Sequence, residues 1–135
     1  MARQSAAFKL QPPPIPSEHA EQCALMDWAQ MAYGKHPELR WLYATPNGGH
    51  RHPKVAKQLK DEGAKPGVCD LFLPVPRGGY HGLYIEMKRQ KGGRLSPEQK
   101  DFIEFVQSHG YRAEVCAGWI VARDVLMDYL NGSDL

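Results

Sequence analysis

The alternation of apolar and polar positions starts at Ser17. Ahead of it, residues 1–16 hold Pro12-Pro13-Pro14 and Pro16 with little apolar periodicity, which predicts a flexible or polyproline-like arm before one domain over 17–135. Leu25, Trp28, Ala29 and Ala32 then fall at i, i+3, i+4 and i+7, the stripe of a helix that Ser17 can cap and Gly34 can end. Arg40 to Thr45 predicts a strand, followed by the turn residues Pro46-Asn47-Gly48-Gly49. Pro53 opens a short helix with Val55, Ala56 and Leu59 on one side and Lys54, Lys57 and Lys60 open to solvent, ending at Gly63. Val68 to Val75 is apolar almost throughout, as a strand covered on both faces would be, and Leu83 to Lys88 is apolar again, so the two predict a hairpin. Ser96, Pro97 and Gln99 form a capping-box start for a helix carrying Phe102, Ile103 and Val106 and ending at Gly110. Tyr111 to Cys116 predicts the last strand and Val121 to Leu130 the last helix. Strands and helices mixed in this order predict an α/β fold, a mixed sheet with helices packed on it.

One feature of the hairpin breaks the apolar pattern. Side chains alternate along a strand, so Glu86 and Lys88 share a face about 6.6–6.8 Å apart while Leu83, Ile85 and Met87 take the other. A hairpin symmetric about Gly79 sets Asp70 opposite Lys88 and one diagonal step from Glu86. Two carboxylates then converge inside strongly apolar strands, where uncompensated charge is costly. Lys88 neutralises only one of them. A hard cation such as Mg²⁺ or Mn²⁺, which prefers carboxylate, carbonyl and water oxygens, is the natural further partner; a purely structural Asp-Lys-Glu network is the alternative.

Composition narrows the class without naming a partner. The chain has 135 residues, 42% of them hydrophobic and 24% charged, with a net charge of only +2. No apolar run reaches a membrane span, and the N-terminus lacks the apolar core of a secretory signal, so a cytosolic protein is expected. Cys23, Cys69 and Cys116 are scattered with no C-x-x-C pair and are expected to be reduced and buried. His50-x-His52 and His19-x-x-x-Cys23 have pair spacing but lack further ligands at recognisable intervals, so a structural zinc is not expected. Trp28, Trp41 and Trp119 each sit in an apolar segment, which predicts core positions. Charge is uneven: residues 35–66 carry +4 and residues 86–100 carry +3. Two groups of cations therefore flank the acids, His50, Arg51, Lys54 and Lys57 on one side and Arg89, Lys91 and Arg94 on the other, as phosphate anchors would. Nothing resembles a major-groove reading element, so binding by nucleic-acid shape is expected.

Gly67-Val68-Cys69-Asp70, followed after 15 residues by Glu86-Met87-Lys88, resembles the D…E-x-K core of the PD-(D/E)XK nucleases. Together with Pro46-Asn47-Gly48-Gly49, Glu62-Gly63, Lys65-Pro66-Gly67, Leu95-Ser96-Pro97-Glu98-Gln99 and Val115-Cys116, it is similar to the standalone VRR-NUC domain, the virus-type replication-repair nuclease module. The resemblance implies a restriction-endonuclease-like fold, a mixed central sheet flanked by helices, in a Mg²⁺- or Mn²⁺-dependent endonuclease acting on branched or structured DNA. It further implies that Asp70, Glu86 and the main-chain carbonyl of Met87 bind the metal, and that Lys88 orients or activates the attacking water. A first-helix carboxylate often completes such a site. Glu18 and Glu21 both border the apolar stripe, and the similarity of Glu18-x-x-x-Gln22 to the family's E-x-x-x-Q start favours Glu18, leaving Glu21, Gln22 and Gln99 as supporting residues. Gln99 is explained equally by its capping box. Cys69 departs from the pattern, standing where the family commonly has proline. Standalone members resemble Holliday-junction resolvases of phage or bacterial replication and repair that act as homodimers, with Leu126, Tyr129 and Leu130 as interface positions if they are not core. A non-catalytic, structure-selective DNA-binding module of the same fold is the alternative function.

Overall fold

In the computed structural model, which describes residues 10–46 and 52–132, the first helix α1 spans Glu18–Ala32. The Ser17 side chain caps it by accepting from the Ala20 N–H at 3.1 Å. The chain then makes a 3-10 helix over Pro37–Trp41 and strand β1 over Tyr43–Ala44. The strand expected over 40–45 is thus mostly a helical turn. Pro37 sits at its first position, and Leu39 and Leu42, three residues apart, are both buried, a spacing that suits a 3-10 turn. Helix α2 covers Pro53–Asp61, β2 Leu71–Leu73, β3 Leu83–Lys88, α3 Pro97–Ser108, β4 Arg112–Ala117 and α4 Trp119–Leu130.

The four strands form one mixed sheet in the order β1-β2-β3-β4, antiparallel except for the parallel β3–β4 pair. On one face Leu83, Ile85 and Met87 pack with Leu25 and Ala29 of α1 and with Ala122 and Leu126 of α4. On the other, Ala113 and the half-buried Tyr84 pack with Ile103, Val106 and Phe102 of α3. β3 is therefore covered on both sides, and Glu86 on its α3-facing side is as buried as its apolar neighbours.

The hairpin is real but shorter and differently registered than the sequence suggests. Pro74 and Pro76 lack an N–H for a ladder, and β2 pairs over three residues only. Leu71 lies opposite Ile85 and Leu73 opposite Leu83, while at the tip Arg77 lies opposite Tyr80 across Gly78 and Gly79. Both glycines have positive φ, as a tight primed turn requires. One extra residue lies on the proline-bearing side between tip and ladder, which acts as a bulge. Continuing the ladder by one residue sets Asp70 across from Glu86, not Lys88. A slip of two residues preserves the face of every side chain, so the acids still converge.

Two further expectations change and a third is decided. Cys69 and Cys116 are buried, but Cys23 is exposed on α1. Trp28 and Trp119 pack against the core, whereas Trp41 is 62% exposed beneath the Arg40 guanidinium. Leu126 and Tyr129 are buried within the chain and the partly buried Leu130 packs against the same cluster, which gives them the intramolecular role rather than the interface one. No described helix is long and apolar enough to cross a membrane.

The Lys65-Pro66-Gly67 block has a packing reason. Gly67 has φ +87°, and a Cβ there would stand 2.3 Å from the Glu98 carbonyl oxygen in the first turn of α3. Gly67→Ala should cost about 3 kcal/mol through backbone strain and this clash. Urea unfolding checks it, and a loss below about 1 kcal/mol would contradict the close approach.

Candidate active site

The ends of β2 and β3 bring the acids together. Thr45 fixes the main chain on the β1 side: its N–H donates to the Asp70 carbonyl at 2.9 Å and its hydroxyl to the Cys69 carbonyl at 2.5 Å. From there Asp70 Oδ2 accepts from the Met87 N–H at 2.7 Å. A residue in an extended strand projects its N–H and C=O to the same edge. The Lys88 carbonyl accepts from the Gly118 N–H at 2.9 Å on the β4 side, so the alternation turns the Met87 carbonyl toward the edge that Asp70 occupies.

Glu86 is only 1% exposed, and neither of its carboxylate oxygens has a hydrogen-bond partner among the described residues. Burial, then the adjoining Asp70 carboxyl, push its pKa up to about 9, opposed by the Lys88 charge. Both acids are acceptors when ionised. They can satisfy each other only by holding a proton between them, or by sharing a cation.

Lys88 is largely buried, with its side chain 12% exposed. Its Nζ donates to Gln99 Oε1 at 3.2 Å and lies 3.6 Å from Glu18 Oε1. Gln99 Oε1 also accepts from the Ser96 N–H at 2.8 Å, while the Ser96 hydroxyl accepts from the Gln99 N–H at 3.1 Å. The capping box and the contact with Lys88 are therefore one arrangement, which ties the lysine to the start of α3. Gly93 lets the β3–α3 connection lie over the lysine stem, since a Cβ there would be 2.9 Å from Lys88 Cβ.

Glu21 lies apart from this group. It is 2% exposed, and its Oε2 accepts from the Trp119 N–H at 2.6 Å while Oε1 accepts from Gln90 Nε2 at 3.2 Å. The first residue of α4 has no side-chain cap of its own, because Gly118 precedes it. Glu21 supplies the missing acceptor and a negative charge at the positive end of the helix. Its role is to join α1, α4 and the β3–α3 connection. Glu21→Ala should cost about 2–3 kcal/mol in thermal or urea unfolding, the penalty of an orphaned buried donor plus the lost cap. A change below about 0.5 kcal/mol would contradict that role.

A cavity of about 760 Å³ opens over these groups. Asp70, Glu86, Lys88 and Gln99 lie on one side, Glu18, His19, Gln22 and Cys23 of α1 on another, with Thr45, Pro66 and Gly67 among the rest of its lining. Of the residues singled out in the sequence, Asp70, Glu86, Met87, Lys88, Glu18, Gln22 and Gln99 come together, and Glu21 does not. Arg89, Lys91 and Arg94 are exposed on the β3–α3 connection, and Lys54 and Lys57 are exposed on α2, where Lys57 pairs with Asp61 at 2.7 Å. None of these five cations lines the cavity. His50 and Arg51 lie outside the described residues. Thr45 was not among the sequence candidates, although a hydroxyl residue closing an apolar strand just before a turn is the available signal.

Among the described residues no three His, Cys, Asp or Glu side chains form a ready-made metal cage. The donors on hand are two facing carboxylates, one of them buried with neither oxygen accepting a hydrogen bond from a described donor, and a main-chain carbonyl. An all-oxygen set of this kind fits a Mg²⁺ or Mn²⁺ ion that keeps several waters.

The VRR-NUC domain family matches residues 16–119, a span that contains every residue of this group. A solved structure described as a VRR-NUC domain protein is 28% identical in sequence and superposes with a TM-score of 0.73, covering 93% of this chain and 94% of that one. That match accords with the mixed α/β architecture of this chain, a four-stranded sheet with four α-helices among the described residues. No curated protein matches the sequence. With the matched span covering most of its length and the D…E-x-K acids assembled at one cavity, the chain belongs to the VRR-NUC domain family, a family of nuclease type.

Proposed function

We propose that this protein is a Mg²⁺- or Mn²⁺-dependent endonuclease that hydrolyses phosphodiester bonds in branched or structured DNA, with a Holliday-junction resolvase-like activity. The observation that carries the reading is the buried carboxylate of Glu86, which accepts no hydrogen bond from a described donor and faces Asp70 beside Lys88. Asp70, Glu86 and the Met87 carbonyl would hold the cation. When bound, the ion supplies Lewis-acid polarisation of a phosphate oxygen and acidifies water. The protein's own groups do the rest. Glu86, whose pKa burial and Asp70 hold above the usual carboxylate range, would release its proton to solvent as the cation is taken up. Lys88, anchored by Gln99 and Glu18, presents its ammonium to the attacking water and to charge developing on the phosphate. Glu18, half-exposed at the rim, sets the direction of that ammonium.

The exposed cations Arg89, Lys91 and Arg94, with Lys54 and Lys57 and the sequence neighbours His50 and Arg51, would grip the phosphate backbone around the cut. A single chain of 15.2 kDa carries one set of these acids. Paired incision of a four-way junction needs two sets related by a two-fold axis, and a homodimer would provide them. The cytoplasm of a bacterium or phage-infected cell is the compartment that suits such a substrate.

Purified protein incubated with a four-way junction, a flap and a linear duplex, in Mg²⁺, Mn²⁺ or EDTA, tests the proposal. The junction should be cut in either metal, the linear duplex poorly, and nothing in EDTA. Binding without cutting in any metal would instead favour the non-catalytic module, and cutting in EDTA would overturn the mechanism.

A further inference from the structure

The α1 wall of the cavity carries a pair of side chains that the proposed reaction does not use. His19 and Cys23 lie one helical turn apart, both exposed and both lining the cavity, with Cys23 Sγ 3.5 Å from His19 Nε2. A tetrahedral zinc ion holds a thiolate sulfur at about 2.3 Å and an imidazole nitrogen at about 2.0–2.1 Å, which sets the two atoms about 3.5 Å apart. The pair already has that bite. Its i, i+4 spacing on a helix keeps the two side chains adjacent without backbone strain. Among the described residues no third His, Cys, Asp or Glu joins them, so an ion held there keeps open positions. This differs from the closed four-ligand site that the sequence spacing argues against.

We propose that His19 and Cys23 form a two-ligand site for a soft divalent ion of the Zn²⁺ class at the mouth of the active-site cavity, where the ion's open positions capture a phosphate oxygen of bound nucleic acid and stall turnover. Ligand chemistry separates the two sites: sulfur and imidazole select zinc, whereas carboxylate and carbonyl oxygens select magnesium or manganese. Cys23 releases its thiol proton to solvent as the ion binds, and nothing is oxidised or reduced. The inhibitory half of the proposal rests on the nuclease reading, while the binding half stands without it.

The probe is Co²⁺, titrated into metal-free protein kept reduced with a phosphine and followed by the thiolate-to-cobalt absorption band, with Zn²⁺ as competitor. Cys69 and Cys116 are buried and cannot supply the band. The band should appear in the wild-type protein and in Asp70→Asn, disappear in Cys23→Ser, and require about tenfold more cobalt or more in His19→Ala. No band in the wild type, or an unchanged band in Cys23→Ser, would overturn the site. In parallel, micromolar Zn²⁺ should inhibit Mg²⁺-supported cleavage by the wild type and spare Cys23→Ser; equal inhibition of the two would overturn the regulatory role. Should the protein cut no DNA, the cobalt band still decides the site, and the nuclease reading fails separately.

Discussion

Replacing Lys88 with methionine should lower the cleavage rate about 10³-fold while leaving DNA affinity nearly unchanged, because a positioned cation that acts on the attacking water and on developing charge is worth that much in the transition state and little in the ground state. Methionine keeps the unbranched stem over which Gly93 packs, so the β3–α3 connection retains its support. Glu18, the acid partner left behind, is half-exposed and can be rehydrated. Gln99 keeps its bond to the Ser96 N–H, so α3 keeps its cap. Single-turnover cleavage and an equilibrium binding titration separate the two effects. A rate within threefold of wild type would remove Lys88 from the mechanism.

Replacing Glu86 with glutamine should abolish cleavage and yet stabilise the metal-free protein. Burial first, and the neighbouring Asp70 second, raise the Glu86 pKa from 4.5 to about 9. A carboxyl whose folded value is raised contributes stability that is fully present below its unfolded value and is lost as pH rises through the folded value. In the metal-free protein the loss therefore begins near pH 4.5 and is complete near pH 9. By pH 7 it amounts to about 3 kcal/mol, at about 1.4 kcal/mol for each pH unit between the two values. Glutamine has no charge to bury and its amide can donate to Asp70, so the variant should lose this part of the pH dependence across the window. At pH 7.5 in EDTA its Tm should exceed that of the wild type by roughly 10 °C. A wild-type Tm that rises between pH 5 and 9, or a variant less stable than wild type at pH 7.5, would contradict the strained acid pair.

Which parts of this were legible in the sequence follows from the range of each interaction. Ser17 and the Ser96-Pro97-Gln99 start are local signals, and α1 and α3 begin where those residues place them. β3 spans the residues that its apolar alternation marks, Leu83–Lys88, with Glu86 buried as well. The hairpin register differs by two from a symmetric turn because the extra residue sits among Pro74, Val75 and Pro76, where no pattern marks it, yet a period of two keeps Asp70 and Glu86 facing each other. The choice between Glu18 and Glu21 was not legible from local pattern, since both border the apolar stripe of α1. What separates them is the Trp119 N–H, 98 positions along the chain from Glu21. Trp41 and Cys23 are exposed, against the sequence expectation, for a related reason: an apolar neighbourhood in sequence does not say which side of a short helical turn, or which edge of a stripe, meets the sheet.

Mn²⁺ titrated calorimetrically into the metal-free wild-type protein and into Asp70→Asn, at pH 7 in two buffers of different ionisation enthalpy, is the most direct test of whether the facing acids are a metal site. The wild type should bind the ion and release a proton from the Asp70–Glu86 pair, giving heats that differ between the buffers, and Asp70→Asn should give no binding heat. Equal Mn²⁺ binding by the two proteins, or binding in the wild type without proton release, would contradict the account.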